Sequence, residues 1–270
     1  TSKGGAYEGL IRQALKSGSA VVLIFSTFQK GAGGTVMESQ YRPYGKHYNI
    51  PMISMGDGIT KYFDEDGFYD WYFGDKLHPN NRGYKLMSDC IMNLMDTVDN
   101  AQADTDNITD IDAMAPKTTA AYQGMKMIDA NTKAEDDDAL ISIDAGSFTA
   151  KDSATGNFQY EYKGQKSASW FADNWMHTKD AANDALTVKL NCKTLMFVYK
   201  LSSSSSFGPA EVYIDGEKKG TLNGYDSSGW NNGKVFVAMT NEEVAEHTIE
   251  IKMADESAAK NFTLMAIGFN

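Results

Sequence analysis

Two hydrophobic patterns alternate along the first 97 residues of the chain. The segments 6–17 and 80–97 place apolar side chains at the spacing of amphipathic helices, and a further helix is expected around 37–47. Between them lie "AVVLIFST" (20–27), a continuous apolar run, and "NIPMISM" (49–55). Both indicate parallel strands buried on both faces. The order helix–strand–helix–strand–helix predicts a doubly wound α/β domain.

This predicted α/β domain is incomplete. A parallel sheet needs more than two strands, with both of its faces covered, to form a stable core. The region 1–97 is therefore interpreted as the C-terminal half of such a domain, with its N-terminal part missing. The next segment, 98–117, is rich in acids and is interpreted as a surface linker that wraps back over the first domain.

The hydrophobic pattern of the sequence changes at about residue 118. Short alternating segments separated by turn-rich stretches predict an all-β, jelly-roll-like antiparallel sandwich over 118–270. The dipeptide Asp215-Gly216 marks a hairpin turn. The predicted strands are "ALISID" (139–144), "FQYEYK" (158–163), "LTVKLN" (186–191), "TLMFVYKL" (194–201), "AEVYIDG" (210–216), "KVFVAM" (234–239), "HTIEIKM" (247–253) and "FTLMAIGF" (262–269).

Charge and cysteine content exclude several classes of protein. A net charge of −11 argues against nucleic acid and anionic membranes as partners. Cys90 and Cys192 lie far apart, so neither a disulfide framework nor a metal-binding spacing is expected, and no cofactor is predicted. The acid run "EDDD" (135–138) lacks the ligand spacing of a calcium site and is interpreted as a solvated loop. No apolar run approaches transmembrane length.

The string "DKLHPN" (75–80) carries the candidate chemistry. A histidine that serves as general base needs a carboxylate on its other ring nitrogen, and Asp75 lies three residues before His78. Asn80 can cap the helix that follows. The alternative is a loop acid and a surface histidine beside a helix cap. The position between a buried strand and an amphipathic helix favours catalysis, because α/β folds place catalytic loops there.

The stretch "DKLHPNNRGYKLMSD" (75–89) resembles the last conserved block of SGNH hydrolases, the GDSL esterase and lipase superfamily. Upstream, "YEGLIRQALKSGSAVVLIFSTFQ" (7–29) and "YRPYGKHYNIPMISM" (41–55) resemble the second half of that fold. The resemblance covers about residues 5–97. It implies a flavodoxin-like α/β/α domain that hydrolyses an ester, with His78 as the base and Asp75 as its orienting acid.

The other conserved blocks of that superfamily are not found in this sequence. These are the Gly-Asp-Ser nucleophile turn, the oxyanion glycine block and the Gly-x-Asn-Asp block, which precede the helix that opens this chain. Ser26 ends a predicted strand, where the family has no nucleophile, and is interpreted as a strand-end hydroxyl. The nucleophile is therefore expected outside this sequence, on N-terminal polypeptide of the same chain or on a separate N-terminal fragment.

The C-terminal region is similar to β-sandwich modules attached to SGNH-type carbohydrate esterases of anaerobic bacteria. The similarity rests on "FGPAEVYIDGEKKGTLNGYDSSGWNN" (207–232), "EHTIEIKM" (246–253) and "FTLMAIGF" (262–269). Exposed aromatic rings would stack on sugar faces while neighbouring amides bind the hydroxyls. The alternative is that some of these rings fill the sandwich core. The candidates are Trp170, Trp175, Tyr225, Trp230 and Asn231.

Three functions remain open from the sequence. The first is an extracellular bacterial esterase that removes acetyl or similar groups from a plant polysaccharide, a substrate and location that rest on the resemblance alone. The second is a non-catalytic carbohydrate-binding protein that acts through Trp230. The third, a lipase of the same superfamily, is weaker because the sequence has no lid-like amphipathic segment.

Overall fold

The chain divides into two compact units, Thr1–Gln123 and Gly124–Asn270. In the part of the chain that is described, no helix is long and apolar enough to cross a membrane. The computed structural model describes residues 4–31, 36–101, 110–155, 161–162, 165–166 and 171–270.

The first unit contains the three predicted helices and two further short ones. The short helices α3 and α4 were not expected, because five-residue helices are too short to show an amphipathic period. The elements are α1 (Gly5–Lys16), β1 (Leu23–Phe25), α2 (Glu38–His47), β2 (Met52–Ser54), α3 (Met55–Ile59), a 3-10 turn (Thr60–Tyr62), α4 (Phe68–Tyr72) and α5 (Asn81–Asp99).

Strands β1 and β2 pair in parallel, with Leu23 opposite Met52 and Phe25 opposite Ser54. The expectation that β1 is buried on both faces is wrong. Leu23 and Phe25 point into the core, whereas Val22 and Ile24 are 42% and 41% exposed. The physical reason is that, among the described residues, β1 has only β2 as a partner strand and nothing packs over its second face.

The core of the first unit consists of two clusters of buried side chains. One joins α1, β1 and α2, and the other joins α3 and α4 to the N-terminal half of α5. The first cluster comprises Ile11, Leu23, Phe25, Tyr44, Tyr48, Ile50 and Ile111, and the second comprises Met55, Ile59, Tyr72 and Phe73 with Leu86, Met87 and Cys90 packed against it.

The segment 110–123 packs against the first unit. The side chain of Ile111 joins its core, and the N–H groups of residues 117–119 bind the buried carboxylate of Glu8. The predicted linker 98–117 thus has three parts. Its first residues end α5, its last residues belong to this packed segment, and residues 102–109 lie outside the described residues. The boundary between the two compact units falls after Gln123.

The second unit is built of β-strands that pair antiparallel, which confirms the prediction of an all-β region. Strands β3, β6 and β7 were not expected, and β10 follows the hairpin turn predicted at Asp215-Gly216. The strands are β3 (Lys126–Ile128), β4 (Leu140–Asp144), β5 (Glu161–Tyr162), β6 (Gln165–Lys166), β7 (Trp175–His177), β8 (Leu186–Ser202), β9 (Pro209–Ile214), β10 (Glu217–Asn223), β11 (Trp230–Met253) and β12 (Phe262–Phe269).

Two long strands connect the halves of this sheet. The first half of β8 pairs with β4 and with the end of β11, while its second half pairs with β12 and the start of β11. Each long strand therefore replaces two shorter predicted ones. Burial alternates along β8 and shifts by one residue at Thr194 and Leu195. Side chains from both halves join one buried cluster, so the sheet folds over a single core.

A buried ion pair lies within the second unit. Lys200 Nζ contacts Asp152 Oδ2 at 2.8 Å, and these side chains are only 3% and 7% exposed. The hydroxyl of Thr263 donates to the same carboxylate oxygen. Burial acts to raise the pKa of Asp152, but Lys200 and Thr263 outweigh it and hold that pKa below its usual value. The Asp152 carboxyl therefore stays ionised inside the protein.

Candidate functional site

The loop that carries Asp75 and His78 connects the end of α4 to the start of α5. Its two ends are held together by an antiparallel bridge between Phe73 and Pro79. Inside this bridge, the N–H of Gly74 donates to the carbonyl of His78 at 2.8 Å. The loop is thus a short closed structure, and its conformation is fixed by its own backbone.

Asp75 and His78 are in direct contact, as the sequence predicts. His78 Nδ1 lies 2.8 Å from Asp75 Oδ2, while Asp75 Oδ1 accepts the N–H groups of Leu77 and His78 at 2.7 Å each. The bond with the His78 ring is the largest of the effects that lower the pKa of Asp75 to about 2. An ionised carboxylate on Nδ1 leaves Nε2 as the ring nitrogen that can accept a proton.

Asn80 joins the two helices that flank this loop. Its side-chain oxygen caps α5 by accepting the N–H groups of Arg82 and Gly83. Its side-chain NH₂ donates to the carbonyls of Asp70, Trp71 and Phe73 at 2.9–3.2 Å. The sequence predicted the cap but not the donor half. One amide therefore fixes both the C-terminal end of α4 and the N-terminal end of α5.

Residues just after β1 also contact this loop. The N–H of Gln29 donates to the carbonyl of Lys76 at 3.1 Å, and the hydroxyl of Tyr69 accepts the N–H of Lys30. The candidate histidine therefore lies at the carboxyl end of the parallel pair, where α/β folds place their ligand sites. Among the described residues, no serine hydroxyl is hydrogen-bonded to His78, and this includes Ser26, which is exposed.

Three of the residues predicted to bind sugar lie together in the second unit. Trp230 pairs with Ser202 in the β11–β8 ladder, and Tyr225 forms a bridge to the same serine. Their side chains are 52% and 39% exposed. Asn231 follows Trp230 with a φ of 65°, in the left-handed region, at a shift in the register of the β11–β8 ladder. Both aromatic residues are accessible to solvent.

The other two tryptophans do not add to this group. Trp175 is only 3% exposed and packs in the core, because β7 pairs with β12 and directs this ring inward. Trp175 is therefore a core residue and not a sugar platform, which corrects the prediction. Trp170 lies outside the described residues.

The acid run at 135–138 has local structural roles. Asp136 accepts the N–H of Lys133 at the start of a 3-10 turn, and Asp137 forms an ion pair with Lys126 at 2.8 Å. Within the described part of the chain, no group of three or more His, Cys, Asp or Glu side chains has the geometry of a metal site.

Two comparisons by sequence found no match, either among protein-family models or among curated proteins. The fold, however, resembles that of solved structures. A two-domain esterase (CEX) active on acetylated mannans is 20% identical and has a TM-score of 0.75, with 100% of this chain and 69% of that chain covered. The same esterase co-crystallised with mannopentaose is 20% identical at a TM-score of 0.70, with 100% and 68% covered. At this identity the likeness is one of fold.

Proposed function

We propose that this chain is the C-terminal part of a serine ester hydrolase of SGNH type, in which His78 is the general base and Asp75 its orienting acid. The observation that carries the proposal is the 2.8 Å contact between His78 Nδ1 and Asp75 Oδ2. Two backbone N–H groups hold the second carboxylate oxygen in place, so the pair is built into the loop before any substrate binds.

The chemistry follows from this arrangement. His78 Nε2 takes the proton of a serine hydroxyl as that oxygen attacks the ester carbonyl. It then returns the proton to the leaving alkoxide of the sugar. Asp75 stays ionised throughout, because its pKa is about 2, and so stabilises the positive imidazolium that forms between the two steps.

In this proposal the serine and the oxyanion donors are carried by N-terminal polypeptide, either preceding this sequence or bound as a separate fragment. The exposed face of β1 supports this. Val22 lies in a cleft of about 710 Å³ together with Met95 and Val98 of α5, and these two side chains are 59% and 61% exposed. Such a cleft can accept further strands and helices of an α/β domain.

The proposed substrate is an acetylated plant polysaccharide outside the cell. The fold neighbours act on acetylated mannans, which makes acetylated mannan the first substrate to test. Esters of xylan are the second substrate to test, because the sequence resembles carbohydrate esterases. The extracellular location rests on that resemblance as well.

The experiment measures acetate released from acetylated mannan by the full-length protein and by its His78→Ala variant. We expect a loss of at least about 10³-fold in kcat, because the base of a serine triad acts together with the nucleophile. The control is His47→Gln, a histidine whose ring is hydrogen-bonded to the carbonyl of Ala115 and packs edge-on against the ring of Tyr48. An unchanged rate in His78→Ala would remove the triad assignment.

The location of the nucleophile has its own measurement. The purified protein is treated with a fluorophosphonate probe, and the intact masses are compared before and after treatment. An adduct on a second polypeptide, or on N-terminal sequence, would support the proposal. An adduct on a serine within residues 1–270 would contradict it.

A second candidate is carbohydrate binding by the sandwich without catalysis. The exposed pair Tyr225 and Trp230 favours it. Trp230→Ala should then weaken retention on insoluble mannan by about tenfold or more, since an aromatic platform contributes much of the contact area in such sites. Val235→Ala, at a residue 54% exposed on the same strand, is the matched control. Equal retention of the two variants would rule out Trp230.

A further inference from the structure

A second cleft in the first unit lies between α3, α4 and α5 and has a volume of about 430 Å³. We call it the α4–α5 cleft. Its floor is formed by Met55, Ile59, Leu86 and Cys90, and Phe68 and Trp71 form one wall. Met55 directly follows β2, and α4 directly precedes the loop of His78. The cleft therefore opens at the carboxyl end of the parallel pair, on the same side as the candidate catalytic loop.

We propose that the α4–α5 cleft binds an uncharged, flat aromatic ring. Its volume falls in the range of small-molecule sites, and its floor is apolar. This inference does not depend on the proposed ester hydrolysis, because it concerns binding alone.

The side chains on the wall favour a flat ring. Tyr62, Phe68 and Trp71 form a continuous row, with centroid separations of 5.7 and 5.8 Å and interplanar angles near 30°. Trp71 is 40% exposed and Tyr62 is 37% exposed. Large aromatic faces left in solvent beside an apolar floor form a surface on which another aromatic ring can stack in an offset geometry.

The floor disfavours a sugar. The hydroxyl of Ser54 already donates to Glu38 Oε2 and accepts the N–H of Asp57. A pyranose placed here would bury several hydroxyl groups without partners, and each such burial is costly. The sugar-binding chemistry predicted for Trp230 therefore does not extend to this cleft.

The apolar floor favours a neutral ring. The rim carries both signs of charge, since Glu65 is exposed there and the Lys61 ammonium lies 4.9 Å from the centroid of the Tyr62 ring. A free carboxylate placed on the floor would lose its hydration, so a phenol or the aryl part of an ester fits better than a free aromatic acid.

The chain contains its own reporter for this binding. Cys90 is half-buried and lines the cleft, whereas Cys192 is fully buried in the other unit and burial raises the pKa of its thiol to about 12. A thiol reagent should therefore modify only Cys90 in the folded protein. Cys90 also lines a neighbouring cleft with Asn93 and Leu94, so a change in its modification rate is assigned to the α4–α5 cleft through the Trp71→Leu variant.

The experiment follows this rate on the native chain as 2-naphthol is added. We expect saturable protection of at least fivefold, and less than twofold with decahydro-2-naphthol, which keeps the hydroxyl but is not flat. Trp71→Leu should raise the half-protecting concentration at least tenfold. Cys90→Ser should abolish labelling, which would show that the reagent modifies Cys90.

Three results would overturn the proposal. These are no protection by 2-naphthol, equal protection by the saturated analogue, or protection by mannopentaose. If Trp71→Leu fails to fold, as judged by circular dichroism, Tyr62→Leu at the rim replaces it and should raise the half-protecting concentration at least threefold. Because labelling needs no turnover, its result is independent of whether His78 acts in ester hydrolysis.

Discussion

Glu8 and Arg12 lie one turn apart on α1 and bind opposite backbone groups of the same segment. Glu8 accepts the N–H groups of residues 117–119, and Arg12 donates to the carbonyls of Ile111 and Met114. Both side chains also bond the hydroxyl of Tyr48. Although they are charged, they are 0% and 2% exposed. The segment 110–123 is thus held to the first unit by two buried charges that the backbone satisfies.

Replacing Glu8 should therefore destabilise the first unit. Glu8→Ala leaves the buried Tyr48 hydroxyl and three partly buried N–H groups without their acceptor, and we expect a loss of about 3 kcal/mol in the free energy of unfolding. Urea denaturation measures this loss. Glu135→Ala, at a side chain 75% exposed, is the control and should change stability by less than about 0.5 kcal/mol. A similar small change for Glu8→Ala would mean that the segment is held by other contacts.

The effect of Glu8 should also depend on pH. Burial acts to raise the pKa of Glu8, but the Tyr48 hydroxyl and the N–H groups of residues 117–119 outweigh it and hold that pKa below its usual value. A lowered pKa stabilises the folded state above the unfolded value, and this contribution is lost as the pH falls through the folded value. Stability of the native protein and of Glu8→Gln should therefore converge at acidic pH, measured by urea denaturation between about pH 3 and 7.

The contact between Asp75 and His78 predicts an unusual titration. The Asp75 carboxyl should titrate with a midpoint near 2, against a usual value of 3.8. In His78→Ala the largest of the lowering interactions is gone, while the N–H groups of residues 77 and 78 remain, so the midpoint should rise toward 3.8. Carbon-13 NMR of the carboxyl group measures both. An unchanged midpoint in the variant would mean that the side chains do not interact in solution.

Asn80 should be sensitive to a change that preserves its shape. Asn80→Asp keeps the oxygen that caps α5 but places a carboxylate against the three carbonyls at the end of α4. We expect a loss of about 1 kcal/mol, because the three carbonyls lose their donor and the negative carboxylate faces the negative ends of their dipoles. The control is Asn93→Asp, an exposed position on the same helix. If both variants are equally stable, the hydrogen bonds donated by the side-chain NH₂ group of Asn80 do not contribute to stability.

Asn80→Asp also tests whether this amide positions the candidate histidine. If it does, the Asp75 midpoint in this variant should rise above about 2, because the loop no longer closes in the same way. An Asp75 midpoint that stays near 2 while stability falls would restrict Asn80 to a structural role.

The sequence predicts local structure and contacts within one loop, but it does not predict burial that depends on residues distant in the chain. Helices α1, α2 and α5 were predicted, two of them because their amphipathic period extends over several turns. The contact between Asp75 and His78 was also predictable, since three residues of one loop set it. The burial of Trp175 was not, because it depends on the pairing of β7 with β12, nearly ninety residues further on.

The predicted boundaries between elements also differ from those of the structure. Cys192 and Lys193 fell between two predicted strands, but β8 continues through them, and its burial pattern shifts by one residue at Thr194 and Leu195. The acidic segment after α5 was interpreted as a surface linker that wraps back over the first domain. Its Ile111 joins the core of the first unit, with Met114 packed against that core.

Two glycines of the first unit should respond in opposite ways to alanine. A Cβ on Gly83, in the first turn of α5, would lie 2.4 Å from the carbonyl oxygen of Tyr72 and 2.8 Å from Pro79 Cβ. Both neighbours belong to the structure that frames the His78 loop, and a backbone carbonyl cannot move aside without shifting α4. Gly83→Ala should therefore cost about 2 kcal/mol or more.

Gly58, in α3, has no atom within 4 Å of an added Cβ and does not have a positive φ. Gly58→Ala should thus leave stability unchanged or raise it by up to about 1 kcal/mol, because alanine loses less backbone entropy in a helix. Thermal unfolding of the two variants under one condition makes the comparison. A Gly83→Ala variant as stable as Gly58→Ala would mean that α5 can move away from α4, and the His78 loop would then lack the rigid frame described above.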